Sequence, residues 1–503
     1  MSLNLAETIT RSSERHPDRP ALRLGETDVT YAELDRDSAR LATLLREKGV
    51  EQGDRVAIML PNVPQFPISY YGILRAGGIV VPMNVLLKKR EISFFLEDSG
   101  ARLLLAWHGF TEEARAGAEQ ASAELIEVEP AAFSKTLAGL ELTPGLADTD
   151  ESDTAVILYT SGTTGKPKGA ELTHLNLSLN AEILAETLTE VGSEDVVLGA
   201  LPQFHSFGQT ATLNASLREG ACVVMLPRFD PGEALEAMQR ERVTVFQGVP
   251  TMYGAMLNHP GREGFDTSSL ENCMTGGAAM PVEVMRGFEE AFSCKILEGY
   301  GLSETSPVAC SNRPDRERKP GSIGVPIRGV EMQIVDEDDN PLPTGEPGEV
   351  VIRGHNIMKG YWKRPDATAE AMRGGWFHSG DIGRTDEDGY FYIVDRKKDL
   401  IIRGGYNVFP REVEEVLYEH PAVREAAVVG IPDDSLGEEV GAAVVLRDGA
   451  SASAEDLSQH VKSELAAYKY PRQVWFLDQL PKGPTGKILK REIQRPAAAS
   501  PPD

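Results

Sequence analysis

Residues Tyr159–Gly169 read YTSGTTGKPKG, and an apolar run ending in Ile157 and Leu158 leads into them. That run reads as a buried strand. Gly162, Gly165 and Gly169 permit positive φ and a close approach of backbone N–H groups to an anion. Thr160, Ser161, Thr163 and Thr164 supply hydroxyl donors, and Lys166 and Lys168 supply positive charge. The pattern is a triphosphate cradle rather than a flexible linker, because linkers seldom follow a buried strand so closely. No G-x-x-x-x-G-K-[ST] can be written through it, so it is not a Walker A loop.

Outward from that stretch, 503 residues with 41% hydrophobic content allow two or three domains with a real core. The net charge of −26 argues against non-specific binding to nucleic acid or to an anionic membrane. From Arg396 onward 15 basic residues face 17 acidic ones, whereas the preceding part has 36 against 60. The last fifth is therefore the natural place to receive an anionic second substrate. Cys222, Cys273, Cys294 and Cys310 form no C-x-x-C pair and join no His cluster, which disfavours zinc or a redox dithiol and suits a reduced, cytoplasmic setting. MSLNLAETIT lacks the basic and apolar regions of a signal peptide, and no apolar run approaches transmembrane length. The tail RPAAASPPD is expected to be disordered.

Strands and helices alternate. Thr30 and Glu33 make a capping box for a helix that carries Leu34, Leu41 and Leu45 on one face and ends at Gly49. Arg55–Leu60, Ile79–Val81 and Arg102–Ala106 read as strands between helices. Beyond the phosphate cradle come the strands Val196–Leu201, Cys222–Leu226, Val243–Gln247 and Lys295–Glu298. Asp230, Pro231 and Glu233 stand as cap, N1 and N3 of another helix. This alternation implies parallel α/β layers. After Gly321, short strands between Asp/Asn/Pro/Gly turns suggest an antiparallel or barrel-like subdomain. The charged cluster DRKKD beginning at Asp395 marks a boundary, followed by a small α+β domain. The expected fold is thus α/β: a large N-terminal region of two α/β subdomains plus a β-barrel-like subdomain, and a small mobile α+β C-terminal domain.

The cradle resembles the phosphate-binding signature of the adenylate-forming superfamily, and further motifs follow in that superfamily's order. Gly299–Thr305, GYGLSET, resembles the segment in which an aromatic residue stacks on adenine, a threonine touches the α-phosphate and a glutamate helps to hold Mg2+. The resemblance assigns these roles to Tyr300, Thr305 and Glu304, with Gly301 in the nucleotide contact and Thr160 as a second metal neighbour. A carboxylate beside a triphosphate is costly unless a cation lies between them. GGAA, with Gly277 and Ala278, matches the adenine wall. Trp376–Asp381, WFHSGD, resembles W-x-x-T-G-D, with Ser379 for the threonine. Asp381 would accept from the ribose hydroxyls, and Arg396 would add a donor. Pro202–Gly208, PQFHSFG, resembles P-x-F-H-x-x-G and places His205 at the carboxylate end of an acyl pocket. Lys398 takes the family's hinge position, and Gly404 and Gly405 its pantetheine-side turn. Leu480–Leu489, LPKGPTGKIL, carries Lys487 at the place of the catalytic lysine.

The resemblance covers nearly the whole chain and implies an AMP-forming acyl-CoA synthetase, with residues 1–395 as its AMP-binding domain and 396–503 as its catalytic lid. ATP, CoA and a small-molecule carboxylic acid are the expected partners, and nucleic acid is not. A homodimer and a lysine acetyltransferase/deacetylase pair acting on Lys487 are further candidates. Positions around His205–Thr210, Gly276–Ala278 and Gly299–Tyr300 are mostly small or apolar, so a medium- or long-chain fatty acid is expected first and an aryl or 4-coumarate-type acid second. An adenylating enzyme that loads a separate carrier protein is the other alternative. Family members that activate malonate carry Arg where Gly299 stands. Gly299 is therefore expected to leave room for an apolar tail and to exclude a second carboxylate.

Overall fold

The computed structural model describes residues 2–142, 145–160, 167–396, 399–433 and 435–493. Two large mixed sheets, one antiparallel sheet and a C-terminal sheet organise the chain. In the seven-stranded sheet the order is Gly360–Tyr361, Lys168–Thr173, Thr154–Thr160, Ile79–Pro82, Arg55–Met59, Leu103–Trp107 and Glu124–Val128. The strands from Thr154–Thr160 to Glu124–Val128 run parallel, as the alternation predicts. Lys168–Thr173 returns antiparallel against Thr154–Thr160, with Thr160 opposite Lys168. The two ends of the phosphate cradle are therefore partners on adjacent antiparallel strands. The cradle's residues Ser161, Gly162, Thr163, Thr164, Gly165 and Lys166 lie outside the described residues, as do Lys398 and the tail RPAAASPPD.

The nine-stranded sheet is parallel from Lys295–Gly301 through Asn272–Thr275, Val245–Gly248, Val196–Gly199 and Cys222–Met225 to Pro20–Leu24. Antiparallel strands close both ends. Helix Tyr31–Glu47 begins at the Thr30/Glu33 capping box, in which Thr30 Oγ1 accepts from Glu33 N at 3.2 Å and Glu33 Oε2 from Thr30 N at 2.9 Å. Its Leu34, Leu41 and Leu45 are fully buried, each worth about 1.5–3 kcal/mol of transfer free energy. The helix lies against Gln65–Arg75, where a Cβ on Gly72 would stand 2.8 Å from Leu41 Cδ2. Only glycine allows that approach.

The antiparallel layer expected after Gly321 is a four-stranded sheet, Val330–Val335, Gly348–Gly354, Phe377–Thr385 and Phe391–Arg396. The C-terminal part is α+β. Gly437–Leu446 is paired on one edge with Val423–Asp433 and on the other with Gln473–Phe476, and helices Pro410–Glu419 and Ala454–Glu464 belong to the same part. Among the described residues, its buried apolar clusters contain nothing before Ile401, and those of the large region nothing after Phe391. The two parts thus meet through contacts other than a common core.

Candidate active site

A cavity of about 1780 Å³ lies where the sheet ends, the antiparallel layer and the C-terminal loop converge. Strand Lys295–Gly301 brings Tyr300 to its wall. The Tyr300 hydroxyl donates to Asp381 Oδ2 at 2.6 Å, across from strand Phe377–Thr385. Burial, and then the neighbouring Asp381 carboxylate, push the Tyr300 phenol well above its ordinary value, so it stays a donor. Asp381 is paired in register with Arg396, whose Nε lies 3.3 Å from Asp381 Oδ1. Ser379 donates to the Val350 carbonyl at 2.6 Å and accepts from Asp381 N at 3.1 Å. The serine thus performs a backbone-pinning task for which any hydroxyl of that reach would serve.

Gly301 is required where the motif turns, because a Cβ there would lie 1.8 Å from the Pro307 carbonyl oxygen. The turn that follows corrects one expectation. Thr305 is 0% exposed; its hydroxyl accepts from Leu302 N at 2.8 Å and contacts the Pro307 carbonyl. It braces the turn and does not line the cavity. The lining hydroxyl is Ser303, whose Oγ is 3.4 Å from Ser206 Oγ. Glu304 accepts from Tyr361 at 2.9 Å and from Thr160 at 3.3 Å. Thr160 and Glu304, far apart in sequence, therefore present hard oxygen donors side by side, a set that fits Mg2+ shared with phosphate oxygens. Lys168 Nζ stands 5.0 Å from the centre of the Tyr361 ring.

Lys487 reaches this cavity from the C-terminal domain. Its loop is closed by Gly483 N donating to the Lys487 carbonyl at 2.8 Å, and is docked by Thr251 Oγ1 donating to the Gly486 carbonyl at 2.8 Å. A Cβ on Gly277 would sit 3.1 Å from Lys487 Cε. Burial, with Arg396 adding repulsion, lowers the Lys487 ammonium to about 8, against the opposing pull of Asp381 and Glu304. Burial and the nearby Lys487 charge lower His205 to about 3, so its imidazole is neutral. His205 Nδ1 accepts from Phe207 N at 3.3 Å, which leaves Nε2 as the protonated nitrogen.

Gly276, Gly277 and Ala278 line the cavity. Gly404 and Gly405 do not: they form an exposed turn with φ of +57° and +83° on the C-terminal domain. One further expectation about the lining needs correction. Gln209 and Thr210 are fully buried without lining the cavity, and their side-chain polar atoms have no hydrogen-bond partner among the described residues. That stretch is neither small nor apolar throughout. Gly299 also lines the cavity, and a Cβ there would lie 2.6 Å from Met274 Cε, the far end of a flexible side chain. Met274, itself a lining residue, fills the room that the glycine leaves. Met274 and Tyr361 carried no signal in the sequence, since no motif contains them. Ser303 stood inside a recognised motif, two positions from the threonine chosen in its place.

The family model described as AMP-binding enzyme matches residues 9–362, and that described as AMP-binding enzyme C-terminal domain matches residues 412–487. The chain belongs to the AMP-binding enzyme family. A long-chain-fatty-acid–CoA ligase of Bacillus subtilis (strain 168) is 41% identical over 97% of this chain and 94% of its own. A feruloyl-CoA synthase of an Amycolatopsis species is 41% identical over 96% and 97%. A crystal structure of an anthranilate CoA ligase with anthranoyl-AMP superposes with a TM-score of 0.92 at 29% identity, over 97% of this chain and 96% of that one. The enzyme is an AMP-forming acyl-CoA synthetase, an acid–thiol ligase of the adenylate-forming superfamily that uses ATP, a carboxylic acid and CoA. No helix among the described residues is long and apolar enough to cross a membrane.

Proposed function

We propose that the acid is an apolar monocarboxylate, a fatty acid of medium or long chain, activated as its acyl-AMP and passed to CoA. In the first step a carboxylate oxygen attacks the α-phosphorus of ATP and pyrophosphate leaves. In the second the CoA sulfur attacks the acyl carbon, its proton is lost and AMP leaves. The protein's task is positioning and charge neutralisation.

Tyr300 and the Gly276–Ala278 segment flank the adenine, and the Tyr300–Asp381 bond fixes the ring's tilt. Asp381 and Arg396 address the ribose. Ser303 offers its hydroxyl to the α-phosphate, in place of the expected Thr305. Lys168 and the cradle hold the outer phosphates. Thr160 and Glu304 would hold Mg2+, which would screen phosphate charge. Neutral His205 borders the carboxylate. The observation that carries the reading is Lys487 inside the cavity beside Gly277, between the charges of Arg396, Asp381 and Glu304. From there its ammonium can bridge the attacking carboxylate and the α-phosphate.

The lid begins after Asp395, with Lys398 as its hinge. Its rotation withdraws Lys487 and brings in the Gly404–Gly405 turn for the pantetheine arm. The four free, buried cysteines suit the cytoplasm. Long fatty tails have the support of the Bacillus relative's name. A second reading, a flat aryl or phenylpropenoid acid, is favoured by Met274 filling the space beside Gly299. Pyrophosphate release across octanoate, palmitate, 4-coumarate and malonate, with and without CoA, decides between them. Octanoate and palmitate are expected to lead and malonate to fail. A lead for 4-coumarate selects the aryl reading, and efficient malonate turnover rejects both.

A further inference from the structure

Arg411 is the second residue of helix Pro410–Glu419 in the C-terminal domain, and its side chain is nine-tenths buried against the large region. Nη1 donates to the Ile393 carbonyl at 2.6 Å, and Nη2 to the Gly321 carbonyl at 3.3 Å. Nη2 is also 4.0 Å from Glu298 Oε1, and Nε is 3.7 Å from Glu415 one turn along the helix. Guanidinium is suited to such a place, with a rigid fork of donors and a permanent charge.

The groups it grips belong to the site. Glu298 immediately precedes the GYG motif, is 1% exposed, and accepts from Met280 N at 3.0 Å, just beyond the GGAA segment. Its other oxygen, Oε2, has no hydrogen-bond partner among the described residues. Burial pushes the carboxyl up to about 7 even with Arg411 opposing the shift. Glu415 accepts from Val282 N at 3.2 Å, a second tie from the same helix to the same loop. The helix also holds the catalytic loop, since Lys490, three residues beyond Lys487, pairs with Glu414 at 2.7 Å. A continuous run of polar contacts thus joins the Lys487 loop, helix Pro410–Glu419, Arg411 and the strand that carries Tyr300.

We propose that Arg411 is a positioning residue for the adenylation half-reaction: a clamp that locks the C-terminal helix to Glu298 and the Gly321 carbonyl and so keeps Lys487 in the cavity. This rests on the reading of Lys487 and domain rotation given above. Rotation must pull Arg411 out, which breaks its bonds to the Ile393 and Gly321 carbonyls and takes its charge from beside Glu298; a buried guanidinium that gives up its acceptors does so at a cost. The clamp therefore favours the adenylating pose without touching substrate.

The test separates the half-reactions: pyrophosphate release in a single turnover without CoA, and thioester formation from supplied acyl-AMP and CoA. Arg411→Ala is expected to lower adenylation roughly tenfold or more, in proportion to the lost population of the competent pose, with KM for ATP and acid nearly unchanged. Thioester formation should hold or rise, and Arg411→Lys should recover part of the loss. Glu298→Gln keeps an acceptor for Met280 N–H but removes the charge, and should give a smaller loss with the same selectivity. It serves as the second variant if Arg411→Ala does not fold. Equal loss in both half-reactions, or no loss in either, overturns the clamp. Lys487→Ala in the same assays tells the two ideas apart. If it is selective for adenylation and the clamp variants are not, only the clamp fails; if it is itself unselective, the underlying division of labour fails.

Discussion

Tyr300 and Asp381 are held by strands and Glu304 by the short turn Ser303–Thr305, with hydrogen bonds from neighbouring strands, whereas Lys487 is held by a loop on a separately cored domain. The groups proposed to face the nucleotide thus all belong to the large region. Lys487, the proposed catalytic cation, belongs to a domain whose ties to that region include Thr251–Gly486, Arg411 and Glu415, mostly polar contacts. Polar interfaces between domains separate at lower cost than a common apolar core. The proposed mechanism thus assigns binding and chemistry to parts that do not share a core, which suits a two-step reaction in one cavity.

The sharpest break in that comparison is Lys487→Ala. Adenylation should fall by about 10²–10³-fold, the usual scale for losing a group that stabilises transition-state charge. Thioester formation from supplied acyl-AMP should stay within about twofold, because that step is assigned to the other pose. The pH dependence has a defined sign. Lysine bridges only while protonated, so adenylation by the free enzyme should decline as pH rises through about 8. That limb should be missing from the thioester step and from the alanine variant. Acetylation of Lys487 would act as the alanine does, by removing the charge.

Tyr300→Phe probes the pre-built side. It removes the bond to Asp381 and leaves the ring, so KM for ATP should rise by about ten- to a hundredfold, on the scale of one hydrogen bond to a charged group. The change should be the same whether or not CoA is present. A change confined to the thioester step would show that the Tyr300–Asp381 pair belongs to the moving part.

The smallest expected effect concerns Met274. Met274→Ala should shift preference toward bulkier tails by about tenfold in relative kcat/KM, the low end of the scale for one methylene in an apolar pocket. Gly299→Arg should weaken octanoate and 4-coumarate turnover, because the arginine occupies cavity-lining space and its Cβ must displace Met274 Cε. Competitive turnover of octanoate, 4-coumarate and malonate by both variants measures this. Malonate turnover by Gly299→Arg with Met274 intact would mean that the methionine yields easily.

Much of the fold was legible locally. The Thr30/Glu33 box and the Asp230–Pro231–Glu233 start are short-range hydrogen-bond patterns written in adjacent residues, and the helices begin there. The antiparallel return Lys168–Thr173 was not legible, because its mixed pattern KGAELT becomes a strand through pairing with Thr154–Thr160 on one side and Gly360–Tyr361 on the other. The choice between Ser303 and Thr305 failed for a related reason. Both are hydroxyl residues in one motif, and the turn's packing against Leu302 and Pro307 decides which faces inward.

The sequence by itself determined the family: a hydroxyl- and glycine-rich stretch, the carboxylates of Glu304 and Asp381 in their motifs and a lysine in a glycine–proline loop are residue types in order, and order survives without coordinates. Only the tertiary structure decided which atoms meet. It set Thr160 beside Glu304, Tyr361 on that same carboxylate, Met274 in the space of Gly299, and Arg411 against Glu298. These contacts join residues up to 144 positions apart. Side-chain direction and long-range packing, which local propensity does not encode, select them.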